Sequence, residues 1–213
     1  MKSLLEMRKK LSENYLMIST SYHEAGHTLY GLAHYRCIQS VELFTFEQVE
    51  GITYYDIVDL DHITDSVLFN YIFDSEIGTK YAGLIAEKYY YKYISGSDKF
   101  PMFLKDGSNL DTKEASDIIK KYSNIEAGAP RSIYKKKIQD KVKIFVKENW
   151  EDIVLVAHAI FNKKMLSYLD LKNLLCKKSI KKDFWKNQFK RIDHIYENTS
   201  TIDDKNLRYI IGI

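Results

Sequence analysis

Most of the chain reads in a helical pattern of apolar and polar positions, with one interruption near residue 40. Residues 2–12 and 14–34 read as two helices, the second continuing its apolar positions through Tyr30, Leu32 and Ala33. Over Cys37–Phe46 the period drops to two, with Val41, Leu43 and Thr45 alternating with more polar or aromatic neighbours, which is a strand signal. Gly51–Tyr55 follows a short polar turn as a partner strand, so a small hairpin is expected beside the second helix. Asp61 or Thr64 is a candidate cap for the next helical region, which runs to about Ser95 with a break expected near Asp74–Gly78. The segment 95–107 has loop composition, and Asn109–Asp111 is expected to start a helix reaching about Tyr122. After a break at Ala127–Pro130, a long helix from Arg131 passes Phe145 to Trp150. Another carries Ile153, Val156, Ala157 and Ile160, and Leu169–Leu175 is a short closing helix. There is no internal repeat.

Composition agrees with a mainly helical chain. In 213 residues there are only 9 Gly and 2 Pro, against 45% hydrophobic and 14% aromatic content, so little of the chain is linker. The expected fold class is mainly α with a small antiparallel β-hairpin beside one helix, in a domain of residues 1–176 followed by a basic amphipathic extension, 177–213. No stretch approaches the roughly 18 uncharged residues of a membrane span, and the N-terminal decapeptide lacks a secretory apolar core, so a soluble, cytoplasmic protein is expected. Cys37 and Cys176 have no metal-ligand spacing and are too few for a disulfide framework; inert thiols are expected. The net charge of +3 conceals an asymmetry: residues 1–129 carry 13 basic and 19 acidic side chains, residues 130–213 carry 19 and 10. The acidic half suits a cation.

That half contains His23-Glu24-Ala25-Gly26-His27. Residues four apart share a helix face, so both imidazoles point into one space, where a single Zn²⁺ can take a nitrogen from each. Glu24 is then placed to hold a water on that metal. By composition the pattern is expected about once in a hundred such chains, and the alternative is a helix whose histidines make ordinary hydrogen bonds. Gly26 is informative, because glycine inside a helix costs about 1 kcal/mol relative to alanine. Room for a chain to pass close to the metal would explain it.

Tyr22–Leu29, Gly51-Ile-Thr53, Tyr81–Glu87 and Gly107-Ser-Asn-Leu-Asp111 together resemble the metal helix, the Gly-Tyr-Thr strand, the Gly-Arg-Ala-Ala-Glu-Glu helix and the Gly-Ala-x-Asn-Asp segment of FtsH-type zinc metalloproteases, the ATP-dependent AAA proteases. The similarity covers residues 15 to 175, including Val146–Leu175 against the family's C-terminal helices. Leu84, Lys88 and Leu110 depart from the family pattern, and the chain has no Gly-x-x-x-x-Gly-Lys-Ser/Thr phosphate loop. The resemblance implies a helical zincin-like peptidase module without its motor, with Asp111 as third zinc ligand and Glu87 orienting an imidazole. Glu114, one turn further, would replace Asp111 only in another register, and Glu87 has the alternative of a surface carboxylate. His34 rises about 10 Å beyond His27 along the helix, out of reach of the same ion.

The implied activity is hydrolysis of unfolded or flexible polypeptides, with Glu24 as general base toward a metal-activated water. Tyr54 and Tyr55 are available near the site as oxyanion partners, and the hairpin edge is available to pair with an extended peptide. The competing expectation is a zinc-stabilised module that binds peptides or a partner without cutting them. A separate AAA ATPase and a homo-oligomer are conceivable partners. Within 177–196, Trp185, Phe189, Ile192 and Tyr196 recur at helical spacing among lysines, which fits either a helix docked on its own core or contact with an anionic membrane surface or nucleic acid.

Overall fold

A computed structural model describes residues 4–45, 49–56, 60–96, 105–123, 128–198 and 203–213. The fold is mainly helical with one three-stranded antiparallel sheet. Helix α1, Leu4–Ala33, is continuous where two helices were expected: no Gly or Pro occurs before Gly26, so nothing breaks it near residue 13. Strands β1, Ile38–Thr45, and β2, Val49–Tyr55, form the expected hairpin, with Val41 opposite Thr53 and Leu43 opposite Gly51. Of the alternating positions in β1, Val41 and Leu43 are buried whereas Thr45 is exposed.

Helix α2, Ser66–Ser95, follows a short 3-10 turn at Leu60–His62. Its cap is neither Asp61 nor Thr64 but Asp65, whose carboxylate accepts from the Val67 and Leu68 amides at 3.0 and 2.8 Å. Gly96, in the left-handed region at φ 64°, ends it. The break expected near Asp74–Gly78 is absent. Ser75 and Thr79 return their hydroxyls to their own helix's carbonyls, and Gly78 lies under Tyr30, where a Cβ would come within 2.5 Å of the ring. These small residues let α1 and α2 approach closely, so what resembles a helix breaker is a packing device.

Helix α3 spans Lys105–Tyr122, so residues 105–107, expected as loop, are helical and Asp111 sits inside the helix rather than at its start. The turn-like run Gly-Ser-Asn lies within this helix, local propensity being a weak guide. Residues 97–104 of that expected loop lie outside the described residues. Helices α4, Ala129–Glu148, and α5, Trp150–Lys163, follow, separated at Asn149. Lys164, at φ 65°, turns the chain into strand β3, Met165–Ser167, which pairs antiparallel with β1 and was not foreseen because three residues are too few to reveal a period. The hairpin is thereby a sheet of order β2-β1-β3.

Helices α6, Tyr168–Lys178, α7, Lys182–Glu197, and α8, Asp204–Ile211, complete the chain. Trp185, Phe189 and Ile192 of α7 are buried, and Trp185 donates its indole N–H to buried Asp152 at 2.7 Å. Gln188 donates its amide to the carbonyls of Leu32 and Ala33 at 3.1 and 2.8 Å, satisfying the open end of α1. Tyr196, assigned to the same face by spacing, is instead 55% exposed. At α8, the Asp204 carboxylate accepts from the Thr64 and Asp65 amides, and Arg208 pairs with Asp65 at 2.9 Å. Among the described residues, no helix is long and apolar enough to cross a membrane.

The core lies where α1 is surrounded by α2, α5 and the sheet, with Ala25, Leu29, Leu32, Val41, Ile77, Ile153 and Leu166 all buried. Cys37 and Cys176 are free thiols, and burial pushes the Cys37 thiol up to about 11.

Candidate metal centre

His23 and His27 point from successive turns of α1 toward α2, and both are buried. Close contact between the helices brings them there. A Cβ on Gly26 would lie 2.4 Å from the Ala82 carbonyl oxygen and 2.8 Å from the Ala86 Cβ, so the glycine admits helix α2. The chain that passes close to the imidazoles is therefore a packed helix of the protein itself.

Each imidazole is oriented through Nδ1. His27 Nδ1 lies 2.7 Å from the Thr79 carbonyl, which can only accept, so this nitrogen carries the hydrogen. His23 Nδ1 lies 3.2 Å from Glu87 Oε2, while Glu87 Oε1 accepts from the Ser19 hydroxyl at 2.7 Å. The buried carboxylate of Glu87 is thus an orienting partner of His23 and not a surface group.

With both Nδ1 atoms donating, both Nε2 atoms of neutral rings present lone pairs. They converge at 2.9 Å on each other, and Asp111 Oδ2 lies 2.9 Å from one and 3.2 Å from the other. Three acceptors facing one another repel unless a cation or a proton lies among them. Without a metal, a proton serves. Burial lowers the His23 pKa, but the hydrogen bonds it donates to Asp111 and Glu87 outweigh it and hold the ring well above its ordinary value. At Asp111, burial is outweighed by the two histidines, which hold the carboxyl well below the usual range.

Gly83 lines the same space. A Cβ there would lie 2.4 Å from His27 Nε2 and 2.6 Å from His23 Nε2, filling the position in front of the lone pairs. The group His23, His27 and Asp111 can hold a metal ion. Glu114 turns away to pair with Lys80 at 2.6 Å, and His34 hydrogen-bonds the Tyr71 hydroxyl at 3.1 Å, so neither belongs to the cluster.

Glu24 is buried between α1 and β2. Its Oε2 accepts from the Thr53 hydroxyl at 2.7 Å, and Gly51 leaves room for it, since a Cβ there would lie 2.7 Å from Oε1. No protein hydrogen bond falls on Oε1 among the described residues. Of the two tyrosines considered for the site, Tyr55 donates to Glu76 at 3.2 Å, and Tyr54 is 40% exposed on the outer face of the sheet.

Ser19, Thr53, Thr79 and Gly83 complete the centre without having been singled out for it. Thr53 and Gly83 fall within the segments that carry the family resemblance. Thr79 acts through its carbonyl, so its side-chain identity held no signal. No protein-family model and no curated protein matches the chain.

Proposed function

We propose that the chain is a zinc-dependent endopeptidase acting on unfolded or flexible polypeptides, similar to the peptidase module of FtsH-type proteases. The observation carrying this reading is the convergence of two imidazole lone pairs and one carboxylate beside a buried glutamate that follows the first histidine directly. Two histidines and one carboxylate are a usual ligand set for catalytic zinc. In a tetrahedral site with bonds of about 2.0–2.2 Å, ligand atoms lie about 3.3–3.5 Å apart, so the observed 2.9–3.2 Å spacings need widen only slightly.

A zinc ion bound there supplies Lewis acidity, lowering the pKa of a water and polarising a carbonyl. The chain's own residues do the rest. Thr53 donates to Oε2 of Glu24 and holds its carboxylate against β2, which leaves Oε1 to accept the proton of the attacking water and pass it to the departing amine. Glu87 and the Thr79 carbonyl keep both rings in the tautomer that presents Nε2. Strand β2 pairs only with β1 among the described residues, and its other edge would take an extended peptide through nearly sequence-blind backbone hydrogen bonds.

The test compares the purified chain with Glu24→Gln, both loaded with zinc to a stoichiometry checked by elemental analysis, on casein with and without a chelator. We expect hydrolysis that the chelator abolishes and that Glu24→Gln lowers by about 10²–10⁴-fold while retaining metal. Variant activity within tenfold of the parent removes Glu24 as the base. Zinc binding without hydrolysis favours the metal-stabilised binding module.

A further inference from the structure

Beside the metal centre lies a polar network that the proposed chemistry does not use. Lys80 follows Thr79, whose carbonyl orients His27. Its ammonium reaches from α2 to Glu114 Oε2 at 2.6 Å, one helical turn beyond Asp111 on α3. On its other side the same ammonium stands 5.5 Å from the centre of the Tyr55 ring, two residues beyond Thr53 on β2. The Tyr55 hydroxyl in turn donates to Glu76 at 3.2 Å, and Glu76 is paired with buried Arg36 in the connection between α1 and β1. One side chain therefore touches the helix carrying the third ligand and the strand carrying the partner of Glu24, from a position adjacent to the carbonyl that orients His27.

We propose that Lys80 is a positioning residue for the metal centre, fixing α3 against α2 so that Asp111 meets the two Nε2 atoms. The inference rests on the metal reading above. Helix α3 carries Asp111 on its second turn and is anchored in the core by Ala115 and Ile119, both lying beyond it in sequence. The Lys80–Glu114 pair ties α2 to α3 one helical turn from the carboxylate. The Lys80 side chain is only 20% exposed and its ammonium is confined by two partners, so the contact carries orientation that a solvated ion pair would not.

The experiment measures zinc dissociation constants by competition with a chromophoric chelator. The chains are the parent, Lys80→Met, Glu114→Gln, the double variant, Lys80→Arg, and Lys143→Met, which breaks an exposed pair with Asp140. Lys80→Met should weaken zinc about tenfold, the range in which partners outside the ligand set act. Glu114→Gln should weaken it three- to tenfold, and the double variant no more than Lys80→Met alone, because both remove one tie. Lys80→Arg should recover most of the affinity, and Lys143→Met should leave it unchanged. Lys80→Met within twofold of the parent, or additive effects of the two single variants, overturns the inference. Glu114→Gln alters only a partly exposed side chain, so its result decides even if Lys80→Met fails to fold. A parent chain that takes up no zinc defeats the metal reading itself, and with it this inference.

Discussion

Helix α1 and the residue just past its end carry two histidine environments, with His27 and His34 seven residues apart, and their difference shows what separates a candidate ligand from a packed ring. At His34, Nδ1 meets the Tyr71 hydroxyl, which can donate to it, and the ring lies 4.4 Å from that of Tyr30. A neutral imidazole can accept there through Nδ1, and burial, with Arg36 and Lys141 nearby, lowers its pKa to about 4. At His23 and His27 the donors are used up on Glu87 and Thr79, and the remaining lone pairs face each other and a carboxylate. His23 and His27 are buried and His34 is half-buried, a difference too small to account for the contrast. The sum of donors and acceptors does: one ring is accommodated neutral, and the other cluster needs a proton or a metal ion among its acceptors.

The sharpest way to break that comparison is to remove an acceptor. Asp111→Ala should lower zinc affinity by roughly a hundredfold or more, since it deletes a ligand rather than a supporting partner. Glu114→Ala, one turn along the same helix, should cost at most about tenfold because it loses only its tie to Lys80. Elemental analysis and chelator competition on both variants decide this. Equal loss in the two would place the third ligand elsewhere.

The next effect comes from filling the space instead of emptying it. Gly83→Ala puts a methyl 2.4 and 2.6 Å from the two Nε2 atoms, whose rings are held by their Nδ1 bonds and cannot simply turn away. Zinc affinity should fall at least tenfold, while alanine's better helix propensity, worth about 1 kcal/mol, offsets part of the strain in the metal-free fold. Undiminished zinc uptake would show that the ion does not occupy the space in front of Gly83.

Gly83 also marks how far the sequence could be read. The spacing of His23 and His27 on a helix stated their shared face outright, and the period-two run at Val41 and Leu43 stated the strand, because both are local periodicities. The role of Asp111 was not local: it depends on α3 packing beside α2, and it was reached only through resemblance. The continuity of α2 was misread because Gly78 is a breaker by propensity, whereas its role is to admit the Tyr30 ring from another helix. Strand β3 went unseen because its three residues are defined by pairing with β1 alone. What escaped the sequence was what one element does for another, as in the carbonyl of Thr79 or the hydroxyl of Thr53.

The last effect tests the environment of His34. The His34 pKa of about 4 in the fold, against 6.5 for the unperturbed side chain, means the unfolded chain binds a proton that the folded chain refuses between those values. The stability this ring contributes is therefore complete above about pH 6.5 and is lost as the pH falls from there toward 4, by about 2–3 kcal/mol at most. His34→Gln removes the titration, so its stability should fall less steeply than the parent's over that interval. Urea unfolding of both chains at pH 7.5 and 4.5, in the presence of chelator, isolates the term, because the contributions of His23, Asp111 and the other carboxylates are common to both and cancel in the difference. Parallel losses in parent and variant would mean that His34 is protonated in the folded state. Tyr71 would then have to accept its hydrogen bond, and the contrast with His27 would rest on geometry alone.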